Sequence, residues 1–194
     1  KAGADSSVVL IVDEGEPARY RDITLRGPAL VSQAEALEVL GVRTGDRYDP
    51  RELKNGFRRL LERYDERGFP FAQAWVDSAG LDETTGDVTL SVYVVEGGRK
   101  TLGAVSFEGL ERTKKELAVK LSGLEPGEPY DGERLRDSYL RLSSSGVFDE
   151  VSYPAVKLSP DASGVEALFK VVEPKGRSSA SAALGYADRE ESED

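Results

Sequence analysis

Residues 82 positions apart in this chain repeat one another: Ile23, Leu25 and Gly27 recur as Val105, Phe107 and Gly109. The register continues through Gly41 and Gly123, Gly45 and Gly127, Tyr48 and Tyr130, Asp49 and Asp131, Leu53 and Leu135, Phe57 and Tyr139, and Leu60 and Leu142. It then slips by about four positions, so that Gly68 meets Gly146, and ends with Glu96 against Glu173. Chance matches do not keep glycines and apolar positions aligned through a whole unit. The chain therefore has to fold as two copies of one plan, each with a small core.

Each copy reads as strand, helix, helix, strand, strand. In the first, Tyr20 to Arg26 is a short strand closed by Gly27, with Ile23 and Leu25 on one face. Ser32 and Glu35 form a capping box that opens a helix, and Gly41 is placed to end it. Asp49-Pro50-Arg51-Glu52 starts a second helix, whose apolar stripe is Leu53, Phe57, Leu60, Leu61 and Tyr64. This stripe predicts that Phe57, and Tyr139 in the other copy, lie buried under the helix pair. After Gly68, residues Phe71 to Val76 form a strand, Thr85-Gly86-Asp87 supply a turn, and Val88, Leu90, Val92 and Val94 alternate as the final strand. The second copy repeats this with a capping box at Thr113 and Glu116, a capping Asp131, a strand from Phe148 to Val156 broken by Pro154, and a last strand carrying Val165, Ala167, Phe169 and Val171.

Topology follows from chain direction. Two antiparallel helices follow the first strand, so the second strand runs against it and the closing hairpin makes the third parallel to the first. The third strand can then sit centrally, with the second at an edge and both helices on one face. The fold class is α+β: two tandem β-α-α-β-β domains, each a three-stranded mixed sheet covered on one face by two antiparallel helices. The domains are residues 17–96 and 97–174. Val8, Leu10, Val12 and Glu14-Gly15 match Leu90, Val92, Val94 and Glu96-Gly97, so residues 1–16 read as the last strand of a preceding unit. Residues 175–194 match nothing in the repeat. A start inside an apolar alternating segment, without a signal peptide, marks the chain as an excised piece.

Composition removes whole classes of chemistry. The chain has no Cys and no His, which eliminates thiol nucleophiles, disulfides, Cys/His metal sites and histidine acid–base catalysis. Asp82/Glu83 and Asp149/Glu150 are acidic pairs with no apolar pocket or cationic cluster nearby to shift a pKa, so they read as solvated surface. Gly97-Gly98 lacks the spacing and following helix of a phosphate loop and reads as a turn between units. With 36 acidic and 26 basic residues and a net charge of -10, nucleic acid is not an expected partner. No apolar run is long enough to span a bilayer as a helix. These readings predict no catalytic residue, no metal and no cofactor.

The element order, the first strands ending in Gly27 and Gly109, and the Gly-Asp-Arg-Tyr-Asp and Gly-Glu-Pro-Tyr-Asp segments before the second helices resemble POTRA domains. So do the helix ends at Gly68-Phe69 and Gly146-Val147-Phe148. The last strand into Glu173-Pro174, followed by Leu184-Gly185-Tyr186, is similar to the passage from the last POTRA domain into the first barrel strand of Omp85-type outer-membrane proteins. Residues 175–194 would then be a linker and the start of a membrane β-barrel. The resemblance implies a periplasmic arm, at the outer membrane, that engages unfolded outer-membrane or secreted client polypeptides, or accessory proteins, for insertion or translocation. The attached barrel would lie outside this chain. A structural spacer or docking module of an envelope or division complex is the alternative, since POTRA-like domains also occur in septal proteins.

A binding mechanism follows from the edge position of the second strand, whose unpaired backbone groups can accept an extended client as an added strand. The candidate client-binding residues are Phe71, Gln73 and Trp75 in the first copy and Val151 and Tyr153 in the second. Against this stands the reading that Phe71 and Trp75 fill the core or the contact between units. Pro154 removes a backbone donor and blunts the second edge, which favours the first copy. Tyr48 and Tyr130 are expected to pack the loop between the helices onto the core.

Overall fold

The computed structural model describes residues 16–27, 30–160 and 164–175. The expectations for residues 1–15 and 176–194 lie outside the described residues. The chain divides into two compact units, Lys1–Leu60 with Ala74–Val95, and Leu61–Gln73 with Glu96–Asp194. The element order is β1 (Tyr20–Arg26), α1 (Gln33–Leu40), α2 (Pro50–Glu66), β2 (Gln73–Leu81) and β3 (Val88–Val95), then β4 (Leu102–Glu108), α3 (Lys115–Ser122), α4 (Gly132–Ser144), β5 (Glu150–Val151), β6 (Ala155–Leu158) and β7 (Val165–Val172). The expected β-α-α-β-β plan is present twice, in two separate sheets.

In the first sheet the strand order is β1-β3-β2, with β1 parallel to β3. The second has β7 at its centre, with β4 parallel on one side and β5 and β6 both antiparallel on the other. The last strand of each copy is therefore central and the second strand lies at an edge, as chain direction requires. Alternation along the central strands puts Val88, Leu90, Val92 and Val94, and Val165, Ala167, Phe169 and Val171, into the two cores.

Local signals account for most helix ends. Ser32 caps α1 by accepting from the Glu35 N–H, and Gly41 ends that helix in the left-handed conformation at φ 69°. Asp49 accepts from the Arg51 and Glu52 N–H groups at 2.8 and 3.4 Å, and Asp131 does the same for Glu133 and Arg134 at 2.9 and 3.3 Å. The capping box expected at Thr113 does not form. Helix α3 begins at Lys115 with Lys114 at the cap position and no side-chain bond, because the Thr113 N–H donates instead to the Glu173 carboxylate at 2.9 Å.

The loop between the helices is tied to the first strand by the same bonds in both copies. Gly45 N–H donates to the Tyr20 carbonyl at 2.7 Å and Tyr20 N–H to the Asp46 carbonyl at 2.9 Å. Gly127 with Leu102, and Leu102 with Glu128, repeat the pattern at 2.6 and 2.8 Å. Tyr48 meets the Tyr20 ring edge to face at 5.4 Å, and Tyr130 is buried. Both tyrosines pack the loop inward, as expected.

The buried stripe of the long helices differs from the expected one. Leu53, Gly56, Leu60 and Tyr64 are buried in α2, and Gly132, Leu135, Ser138 and Leu142 in α4, whereas Phe57, Leu61 and Tyr139 are only half-buried. The cause is close helix contact in the first copy: a Cβ on Gly56 would run into the Leu40 carbonyl. The small residue therefore faces the neighbouring helix, and Ser138 stands at the matching place in the second copy. The bulky aromatics one position further on are turned by about 100° to the flank of the stripe.

Leu142→Ala should therefore cost about 2–5 kcal/mol of stability. Tyr139→Ala should cost less, about 1–2 kcal/mol, because it vacates only half-buried space. Denaturant unfolding of the two variants checks the order. A larger loss for Tyr139→Ala would mean that the stripe is wrongly assigned.

Candidate interface at the sheet edge

The edge strand of the first copy is longer than expected and begins later. It runs Gln73–Leu81 rather than from Phe71 to Val76. Phe71 precedes it in a turn, where Ala72 N–H donates to the Phe69 carbonyl at 3.2 Å, and its half-buried ring packs on the core of the second unit. Phe71 is thus not on the strand, because the chain is still turning out of Gly68-Phe69-Pro70. The far end of β2, Asp77-Ser-Ala-Gly-Leu81, has no apolar alternation to read. It becomes strand through the turn that follows, where Asp82 Oδ1 accepts from the Thr84 and Thr85 N–H groups at 2.9 and 3.2 Å, and Asp82 N–H donates to the Asp87 carbonyl at 2.9 Å. Those two N–H bonds, with the Arg21 guanidinium 2.8 Å away, hold the exposed Asp82 carboxyl below its usual range.

β2 is the terminal strand of its sheet, and among the described residues no strand pairs with its outer side. Nine extended residues present an open backbone about 30 Å long. Gln73 is exposed at its start. Trp75 does not fill a core: it is 42% exposed, with its ring 5.2 Å from that of Tyr93 on the central strand. Since Val92 and Val94 are buried, alternation puts Tyr93 on the face away from the core, and Trp75 lies beside it there. On the same strand Asp77 approaches the Arg26 guanidinium at 3.9 Å. Tyr93 is the residue that the sequence reading missed; its place in the alternation of β3 marks it as outward-facing.

The corresponding edge of the second copy is interrupted. Val151 is half-buried and pairs with Val171 in the two-residue β5. Pairing resumes at Ala155 opposite Leu168, so Tyr153 and Pro154 together stand opposite Phe169 alone, which is a β-bulge. Tyr153 is 53% exposed in this gap, with its ring 5.5 Å from Tyr139. The five candidate residues therefore occupy three different local settings. Gln73 and Trp75 share an open edge, Val151 precedes a bulge that contains Tyr153, and Phe71 packs inward.

Two carboxylates sit in defined polar environments, both within the second unit. Glu173 is 8% exposed. Burial opposes its ionisation, but the backbone and side chain of Thr113, then the N–H groups of Arg112 and Glu111, outweigh this and hold the carboxyl below its usual range. Asp65 accepts from the Tyr130 hydroxyl at 2.8 Å. Burial pushes the Asp65 carboxyl up despite that bond and the nearby Arg136 charge, and burial followed by the Asp65 charge pushes the Tyr130 phenol up. Among the described residues no group of three or more His, Cys, Asp and Glu side chains could hold a metal ion, and no helix is long and apolar enough to cross a membrane.

A family model described as "POTRA: Surface antigen variable number repeat" matches residues 18–97 and 100–174. The outer membrane protein assembly factor BamA of Neisseria meningitidis serogroup B is 25% identical over 156 residues, which are 79% of this chain and 19% of that protein. The chain thus spans about a fifth of that relative's length. Among solved structures, Haemophilus influenzae BamA POTRA3-5 aligns with a TM-score of 0.70 at 18% identity, covering 80% of this chain and 61% of that one. BamA from Haemophilus ducreyi lacking POTRA domains 1-3 aligns with a TM-score of 0.65 at 17% identity, covering 82% and 30%. The structural likenesses establish the fold.

The two carboxylates should respond to substitution in opposite ways. Glu173→Ala leaves the Arg112 and Thr113 N–H groups without their acceptor and should cost about 1–3 kcal/mol. The folded pKa of Glu173 is depressed, so its contribution is present above the unfolded value of about 4.3 and is lost as pH falls through the folded one. Unfolding free energies of wild type and variant should therefore draw together progressively as pH falls below that unfolded value and through the folded one. The folded pKa of Asp65 is raised, so ionisation of its carboxyl costs stability in the folded state, and that cost is present at pH above the folded value. Asp65→Asn should leave stability unchanged or raise it at pH 7, while Tyr130→Phe should cost about 1–3 kcal/mol by removing a donor to a half-buried carboxylate. Denaturant melts of both variants at pH 5 and pH 8 test the pair, and a large loss in Asp65→Asn would contradict it.

Proposed function

Because the chain belongs to the POTRA family, we propose that it is a periplasmic binding scaffold of an outer-membrane β-barrel protein, engaging client polypeptides or accessory subunits by strand addition. The role is outer-membrane protein insertion or translocation, and it is one of binding rather than catalysis. The observation that carries this reading is the nine-residue β2, a terminal strand whose outer edge pairs with no other strand among the described residues. Similarity to a relative named as an outer membrane protein assembly factor supports the setting. On this reading residues 17–96 and 97–174 are the two domains, residues 1–16 close a preceding one, and residues 175–194 lead into a barrel.

Strand addition fits a receptor for many clients. Main-chain hydrogen bonds supply affinity without demanding one client sequence, and alternate side chains tune it. Gln73 and Trp75 are the first-copy contacts. In the second copy the bulge at Tyr153 and Pro154 divides the edge into the two-residue β5 and the four-residue β6, so that edge contributes less.

Titration with an extended peptide of alternating apolar residues should shift backbone NMR resonances along residues 73–81, with affinity on the order of micromolar to millimolar. Gln73→Pro should weaken binding at least severalfold, Gln73→Ala should not, and salt should matter little because the bonds are main-chain. Shifts confined to the helices would remove strand addition and favour the spacer role.

A further inference from the structure

The open face of the first sheet carries an aromatic row that stops at the free edge. Tyr93 stands on the central strand, and Trp75 stands beside it on the edge strand with ring centroids 5.2 Å apart and planes inclined by 41°. Trp75 is 42% exposed, and no strand lies beyond it among the described residues. A tryptophan left half in water on a flat sheet face forgoes part of the burial that a large ring can obtain.

The repeat argues that the pair is not required for folding. The position of Tyr93 in β3 corresponds to Lys170 in β7, whose ammonium lies 3.3 Å from Glu108. Both copies fold with the same strand order around the central strand. One does so with a ring at this place on the outer face and the other with an ion pair, so the shared architecture is indifferent to the choice. The aromatic row is a property of the copy whose edge is open.

Resting on the strand-addition reading above, we infer that Trp75 and Tyr93 form a side-chain subsite that selects client strands carrying an aromatic residue. A strand added to β2 sets one of its side chains directly opposite Trp75 on the same face, with Cβ atoms about 4.5–5.5 Å apart. An aromatic residue there continues the row outward from Tyr93 through Trp75 and covers the exposed indole. The client residue two positions away on that face stands opposite Asp77, where an acidic side chain meets like charge and is disfavoured. The occupant is therefore an extended segment with an aromatic residue and no acid two places from it on one side. Backbone pairing holds the strand, and the row sets its register.

Two peptides of about nine residues, matched to β2 and differing only in Phe or Thr at one central position of an alternating Thr/Val host, test this on the full chain. The Phe peptide should bind about three- to tenfold tighter, the range expected of an aromatic pair. Trp75→Ala should abolish that advantage, so that the Phe and Thr peptides bind equally, and Trp75→Phe should retain part of it. Host peptides N-methylated at one or the other set of alternate amides report separately on backbone pairing, since only one set can donate to β2. Equal binding of the Phe and Thr peptides, with the two N-methylated sets still behaving differently, overturns the aromatic subsite and leaves strand addition standing. An advantage that survives Trp75→Ala also overturns the subsite. Equivalent behaviour of the two N-methylated sets, or no binding at all, removes strand addition and the subsite with it.

Discussion

Parallel pairing of the first strand with the third constrains everything else in each copy. Strands that run side by side in the same direction cannot be joined by a tight turn, so the chain between them has to leave the sheet and return. Here the excursion comprises two helices and the edge strand, and both helices find their apolar partners on a single sheet face. The third strand is thereby hydrogen-bonded on both sides, as in the registers Ile23 to Leu90 and Val105 to Ala167. Among the described residues the second strand is left with one neighbouring strand. An open edge is thus a consequence of the topology, present wherever the plan is used unless something closes it.

Polar groups that this arrangement would strand are satisfied by residues at matching places. The loop between the helices is sewn to the first strand through Gly45 and Gly127, both at positive φ. The carbonyl end of α1 is met by Arg59, whose guanidinium donates to the Val39 and Leu40 carbonyls at 2.9 Å each. Arg141 stands at the corresponding position of α4, beside Gly123. Gly27 and Gly109 close the first strands at positive φ where a Cβ would strike the central-strand carbonyls of Val94 and Val171. Glycine is needed there for space as well as conformation.

The copies diverge where function is proposed. The first edge extends over nine residues and carries an exposed indole; the second is divided by a bulge and a proline. Bulges and prolines are among the devices that keep an exposed edge from pairing with other chains. A tandem in which one edge is blunted and the other left open suits a scaffold that receives a strand at one place. The acidic surface keeps such contacts dependent on shape and main-chain bonding rather than on attraction of anionic partners.

The repeat, the element order, the central position of the third strands and the capping by Ser32, Asp49 and Asp131 were legible in the residues, because glycines, caps and period-2 apolar runs act over a few neighbouring positions. The family resemblance rested on the same local signals. Where the edge strand begins and ends was not legible: Asp77 to Gly80 carry no apolar alternation, and it is the turn at Asp82, returning the chain to pair along β3, that makes them a strand. The helix face was misjudged at Phe57 and Tyr139 because the closeness of two helices is set across space, by Gly56 against the Leu40 carbonyl. Thr113 lost its capping role to Glu173, a residue 60 positions away. The sequence by itself determined which elements exist and how they must be threaded, since those depend on nearest neighbours and chain direction. Tertiary structure alone decided which side chains meet, Trp75 with Tyr93 and Tyr130 with Asp65, since those contacts depend on register and packing between segments far apart in the chain.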